Sequence, residues 1–227
     1  MQARSRRSQD RSPEQRMFDV EGFILVGGQS SRMGSDKSQL VFGKQTGVER
    51  IAAALRSLTA RVRLVGSHVQ AEASGLENVP DTHERWGALG GIRAALGACQ
   101  SEWAVVVACD LPLVSSDLFH RLCHLTQQSD LQTLDAIVPI QADERPQPLC
   151  AFYRREICFK AAEKLIAEGE HKPRALLVNV RTRWVEFREL EDLPGSEHFF
   201  LNVNTPEEYE RAVKALTFLE GKRSKGQ

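Results

Sequence analysis

The stretch FILVGGQSSRMGSDKS (Phe23–Ser38) sets a short apolar run, Phe23–Val26, directly against a polar loop. The loop carries Gly27, Gly28 and Gly34, the hydroxyls of Ser30 and Ser31, and two cations, Arg32 and Lys37. A core strand that opens into a glycine-rich loop is the arrangement of open α/β sheets, whose ligands bind at the carboxyl ends of the strands. Glycines let backbone N–H groups come close to anionic oxygens, and hydroxyls add donors. Arg32 and Lys37 would supply charge that follows a leaving pyrophosphate. The loop is not a Walker A loop, because five residues separate Gly28 from Gly34 and Lys37 is not adjacent to that glycine. G-x-G-x-x-G is absent as well. On residue chemistry alone, a phosphate cradle and a solvated surface turn both stand.

The rest of the chain extends the α/β pattern. Apolar runs bounded by turns occur at Gly22–Val26, Val62–Val65, Trp103–Cys109 and Ala136–Pro139. Helical periodicity marks Val48–Leu58, Ile92–Ala98, Asp117–Leu125, Ile157–Glu168 and Pro206–Leu219. The last opens on NTPEE, where Thr205 can cap, Pro206 suits the first helical position and acids occupy the first turn. Alternating strands and helices predict a mostly parallel sheet with helices on both faces.

Bulk properties exclude several classes. The 227 residues contain 41% hydrophobic and 26% charged side chains, with Lys+Arg and Asp+Glu both 30. A balanced charge gives no global field for nucleic acid or an acidic membrane. No apolar run reaches the roughly 20 residues of a membrane span, and residues 1–19 lack the apolar core of a signal peptide. That Arg/Ser-rich segment is expected to be a disordered leader, residues 20–219 a single domain and residues 220–227 a flexible tail. Five cysteines without a CxxC pair predict reduced thiols and a cytoplasmic protein.

Other candidates compete with simpler readings. Asp110 ends the apolar strand WAVVVAC and could hold Mg²⁺ with phosphate oxygens, or could merely cap the turn at Pro112. His120 and His124 have metal-ligand spacing, but Leu118, Leu122 and Leu125 mark the buried face and place the histidines opposite it. Cys109 lacks an evident activating neighbour. Arg4, Arg6 and Arg7 have no aromatic interleaving, which leaves nucleic-acid binding unsupported. HKPR (His171–Arg174) reads either as a helix start or as a grip on a substrate phosphate.

Leu25-Val26-Gly27-Gly28-x-Ser30-x-Arg32-Met33-Gly34-x-Asp36-Lys37 resembles the signature of the molybdenum cofactor guanylyltransferases. WGALGGI (Trp86–Ile92), ACDLPLV (Ala108–Val114), PQPLCAFY (Pro146–Tyr153) and NVNTPEE (Asn202–Glu208) agree in order, so the resemblance spans roughly Glu21 to Leu216. Val26 departs from the alanine usual in that family. The resemblance implies a three-layer Rossmann-like nucleotidyltransferase domain that uses Mg²⁺ to transfer GMP from GTP to molybdenum-loaded molybdopterin. It further implies that Leu25, Val26 and Gly27 line the guanine and ribose, that Lys37 reaches the phosphates with Arg32, and that Asp81 contributes to the GTP site. Asp110 would bind Mg²⁺ and the nucleotide, and Gly66 matches the residue the family uses after its second strand. Cofactor-insertion proteins would be transient partners. A cytidylyl- or uridylyltransferase with the same phosphate loop, and a non-catalytic nucleotide-binding regulator, are the competing readings. The paired amides of NVNTPEE favour the molybdopterin branch.

Overall fold

The structure is a computed structural model and describes residues 19–27, 40–66, 68–81, 86–126 and 133–225. In chain order its first elements are β1 (Val20–Val26), the short strands β2 (Val41–Phe42) and β3 (Gln45–Thr46), and helix α1 (Gly47–Arg56). Then come β4 (Val62–Gly66), α2 (His68–Ser74), β5 (Glu77–Val79), α3 (Gly87–Ala98), β6 (Trp103–Ala108) and α4 (Ser116–Leu125). The second half contains β7 (Ala136–Pro139), β8 (Cys150–Arg154), α5 (Arg155–Ala167), α6 (Pro173–Asn179), β9 (Thr182–Val185) and α7 (Pro206–Lys225).

Seven strands form one sheet in the order β5-β4-β1-β6-β8-β7-β9, and β2 and β3 make a separate ribbon. β5, β4, β1 and β6 run parallel, with Val26 opposite Gly66, Leu25 opposite Ala108 and Val65 opposite Val79. β8 is antiparallel to both neighbours, while β7 and β9 return to the common direction. The mostly parallel sheet expected from the alternating pattern is thus observed, with β8 reversed within it.

Side-chain alternation sorts each strand between two cores. Ile24, Val26, Val105 and Val107 face α1 and α4, where Ile51, Leu55, Leu118 and Leu122 pack. Phe23, Ala104 and Val106 face α3 and α5, against Leu89, Ile92, Ala162 and Leu165. Strands buried on both faces read as the near-continuous apolar runs VEGFILV and WAVVVA, as parallel strands do. Caps start the helices where sequence signals place them. Thr46 and Glu49 form a capping box on α1, and Ser115 Oγ accepts from the Leu118 amide on α4. The cysteines are free, and all but Cys109 are buried.

At the amino edge of the sheet the buried Glu21 carboxylate is satisfied by Arg61 (3.0 Å), Arg63, the Gln100 amide (3.2 Å) and the Ser101 hydroxyl (3.3 Å). A buried charge persists when it is paired and hydrogen-bonded in this way. One boundary differs from expectation. The last helix continues past Leu219 to Lys225, so residues 220–225 are helical rather than a loose tail. Glu, Lys and Arg are good helix formers, cations suit a helix C-terminus, and the single Gly221 costs only about 1 kcal/mol.

Candidate functional site

The carboxyl edge of the four parallel strands gathers most of the residues singled out above. β1 delivers Leu25, Val26 and Gly27 to this edge. Leu25 leans toward α3, where a Cβ on Gly91 would stand 3.1 Å from its Cδ1, while Val26 is buried on the α1 side. Gly66 ends β4 directly beside Val26, with φ +119, and a Cβ there would lie 1.9 Å from the Val26 carbonyl oxygen. Only glycine fits that combination of backbone angle and close approach. Asp81 follows β5 by two residues and is half-buried.

Asp110 sits on the other side of β1, in a turn closed by the Leu111 amide donating to the Ala108 carbonyl (3.2 Å). Buried Ala108 and Leu111 anchor the turn, and the Cys109 amide donates to the Leu25 carbonyl (3.0 Å), which ties it to β1. The start of α1 abuts the same turn. A Cβ on Gly47 would lie 3.4 Å from the Cys109 carbonyl, and Arg50 Nε donates to the Pro112 carbonyl (3.3 Å). From β5 to β6 the edge spans three strand spacings, about 14 Å. Leu25–Gly27 and Gly66 occupy its middle, between the two aspartates.

NVNTPEE meets the site from the far end of the chain. The Val203 amide donates to the Asp110 carbonyl (2.9 Å), and Val203 is buried. Glu208 Oε2 accepts from the Asn204 (2.7 Å) and Thr205 (3.1 Å) amides, while the Glu208 amide donates to Thr205 Oγ1 (3.2 Å). This capping box fixes α7 and the extended segment before it. Val203 is turned into the core, and exposed Asn202 and half-buried Asn204 flank this residue that is bonded to Asp110. The sequence carries them only as part of a motif; their adjacency to Asp110 requires the fold.

Arg32 and Lys37, with Ser30 and Ser31, lie outside the described residues. A cleft of about 710 Å³ between α1 and α7 is lined by Arg50, Ser115, Glu197 and Leu219, among others. None of Leu25, Val26, Gly27, Gly66, Asp81 and Asp110 lines it. His120 and His124 are exposed on α4, opposite buried Leu118 and Leu122, and no group of three or more potential metal-ligating side chains occurs among the described residues. Burial pushes the Cys99 thiol up to about 11 and the Cys123 and Cys158 thiols up to about 12, which excludes them as thiolate nucleophiles.

An open, mostly parallel sheet whose carboxyl edge gathers Gly66 and two carboxylates defines an α/β protein of the kind that binds its ligand at that edge. The model of the MobA-like NTP transferase domain matches residues 22–183, and the chain belongs to that family. A protein of Pelotomaculum thermopropionicum named "Probable molybdenum cofactor guanylyltransferase" is 33% identical over 92% of this chain and 97% of its own length. One of the same name from Carboxydothermus hydrogenoformans is 30% identical over 87% and 96%. The crystal structure of molybdopterin-guanine dinucleotide biosynthesis protein A from Archaeoglobus fulgidus superposes with a TM-score of 0.72 at 25% identity, covering 87% of this chain and 99% of that one. A Thermus thermophilus 2-C-methyl-D-erythritol 4-phosphate cytidylyltransferase shares the fold, with a TM-score of 0.62 at 18% identity over 87% and 98% of the two chains.

Proposed function

We propose that this protein transfers GMP from GTP to the terminal phosphate of molybdenum-loaded molybdopterin. The observation that carries the reading is the convergence of Leu25–Gly27, Gly66, Asp81 and Asp110 on the carboxyl edge of adjacent parallel strands, although they are scattered along the sequence. The guanine and the acceptor rest on the relatives whose names state that activity.

In the reaction, an oxygen of the acceptor phosphate forms a bond to the α-phosphorus of GTP. The bond from that phosphorus to the bridging oxygen breaks, and pyrophosphate leaves with the electron pair. Leu25, Val26 and Gly27 line the guanine and ribose, and the tight Val26–Gly66 contact keeps that floor flat. Asp81 borders the nucleotide on the β5 side. Arg32 and Lys37 meet the phosphates and the leaving pyrophosphate. Asn202 and Asn204 close the acceptor side next to Asp110. The shared frame brings acceptor oxygen and phosphorus into line, which is where most of the acceleration of such a transfer arises.

Magnesium fits this donor set. The ion prefers hard oxygens and takes one or two carboxylates together with substrate phosphates and water. The carboxylate of Asp110, just past the end of β6, suits an ion that arrives with the triphosphate. Asp110 would hold it, and the bound ion would neutralise charge on the phosphates. The free cysteines support action in the cytoplasm, where cofactor-insertion proteins would receive the product. No described helix is long and apolar enough to cross a membrane.

GTP labelled at its α- or its γ-phosphate tests the reading. The α-label should enter the pterin dinucleotide and the γ-label should leave in pyrophosphate, in equal amounts. Release of inorganic phosphate, with no label in a dinucleotide, would overturn it.

A further inference from the structure

Helix α3 connects β5 and β6, yet it is also tied to α5 and to the turn between α5 and α6. Near its C-terminus, a Cβ on Gly97 would stand 3.1 Å from the Phe159 ring of α5. In its middle, Arg93 pairs with Glu163 of α5 (2.7 Å) and lies over the Phe159 ring (5.0 Å to centroid). At the carboxyl edge the tie is of another kind. The ring of His171, from the turn between α5 and α6, stacks on the indole of Trp86, with centroids 4.4 Å apart and planes 23° from parallel.

The turn that presents His171 is built to hold it. Gly169 takes a left-handed φ of +87 after α5, and Pro173 starts α6. Between them the Glu170 carboxylate accepts from the backbone amides of His171 (2.8 Å) and Lys172 (2.9 Å). On the other side, half-buried Trp86 packs against the same core cluster as Leu25. Position is therefore passed in contiguous contacts from the α5–α6 turn through His171 and Trp86 to the first turns of α3, whose Gly91 meets Leu25.

We propose that His171 is a positioning residue for nucleotidyl transfer: its stack on Trp86 locks the start of α3, at the nucleotide side of the sheet edge, to the turn between α5 and α6. His171 touches neither substrate and acts by keeping the two reacting phosphates aligned. The inference rests on the guanylyl-transfer reading above.

His171→Ala should lower kcat about tenfold, because small misalignments of bound reactants are costly in rate. It should leave the Kd for GTP and the KM for the acceptor within about twofold, since no substrate contact is lost. His171→Phe restores a flat ring without a charge and should recover kcat to within about twofold. His171→Lys supplies a cation without a ring and should not. Amide hydrogen exchange in the first turn of α3 should be faster in His171→Ala and His171→Lys, and normal in His171→Phe. This readout stands without turnover, so turnover by the unmodified protein tests the guanylyl-transfer reading separately. Unchanged kcat and exchange in His171→Ala would overturn the inference. So would recovery by Lys but not Phe with a raised acceptor KM, which would make His171 a direct phosphate contact.

Discussion

A Cβ on Gly66 would lie 1.9 Å from the carbonyl oxygen of Val26, the residue opposite it in the register of β4 and β1. No flexible side-chain end can move to relieve that contact, since the atom met is backbone, and φ is +119 as well. Gly66→Ala should therefore push aside Val26 and, with it, the proposed nucleotide floor. The expected result is a Tm lower by roughly 6 °C or more, with the KM for GTP raised at least about tenfold. Thermal melts and nucleotide titrations of the variant measure both; wild-type values would show that β1 and β4 do not approach in this way.

Asp110→Asn keeps the shape of the side chain and leaves the Val203 amide bond to the Asp110 carbonyl untouched. Tm should stay within about 2 °C, while turnover should fall by about 100-fold or more through the lost anionic charge. Full activity of this variant at limiting Mg²⁺ would remove Asp110 from the metal and phosphate machinery.

Asp135 immediately precedes β7 and is buried. Burial alone would raise its carboxyl, but hydrogen bonds from the Arg181 side chain and backbone outweigh it and hold the group below its ordinary range. Arg181 donates from Nε, Nη2 and its backbone amide, each at 3.0 Å. A depressed carboxyl contributes stability that is present above the unfolded value, about 3.9, and is lost as pH falls through the lower folded value. Because Arg181 is more than half exposed, solvent screens much of the charged attraction. Asp135→Asn should lower Tm by roughly 3–6 °C at pH 7. The gap should narrow as both proteins are melted below about pH 4; a gap that widens in acid would contradict the pairing.

Cys109 is the partly exposed one among the five thiols, and the other four are buried. Burial pushes Cys99, Cys123, Cys150 and Cys158 up, so little thiolate is present at pH 8. A thiol reagent should modify a single residue quickly in the native protein and all five after denaturation. Two or more fast native thiols would contradict the packing around β6 and β8.

Much of this fold is written locally. The runs Gly22–Val26, Val62–Val65 and Trp103–Cys109 are recognisable as strands because both faces are buried, which makes them apolar throughout. Leu118 and Leu122 mark the inner face of α4 and leave His120 and His124 outside, as the periodicity requires. β8 is hidden within PQPLCAFY because its antiparallel place between β6 and β7 depends on partners distant in sequence. β5 is too short to show a period, and β9, TRWV, has only one buried side chain and so carries no apolar run. At the site, Asp110 is legible as the carboxylate that ends an apolar strand. Gly66 as a glycine of necessity is not, because its reason is the Val26 carbonyl across the sheet. His171 reads as a helix start, and Pro173 does begin α6, but the stack on Trp86 joins residues far apart in the chain.

The choice of base bears most directly on guanylyl transfer. The phosphate contacts proposed for Arg32 and Lys37 would serve every nucleoside triphosphate alike, so selection must come from groups that meet the edge of guanine. Backbone carbonyls and amides around Leu25–Gly27 can pair with its N1–H, N2–H₂ and O6, and a wrong base would leave buried partners unpaired at about 1–3 kcal/mol each. The decisive measurement is kcat/KM for pyrophosphate release with GTP, CTP and ATP in the presence of molybdenum-loaded molybdopterin. GTP should exceed both others by at least about 100-fold, and Lys37→Ala should weaken all three without changing their order. Equal use of GTP and CTP by the unmodified protein would contradict guanylyl transfer.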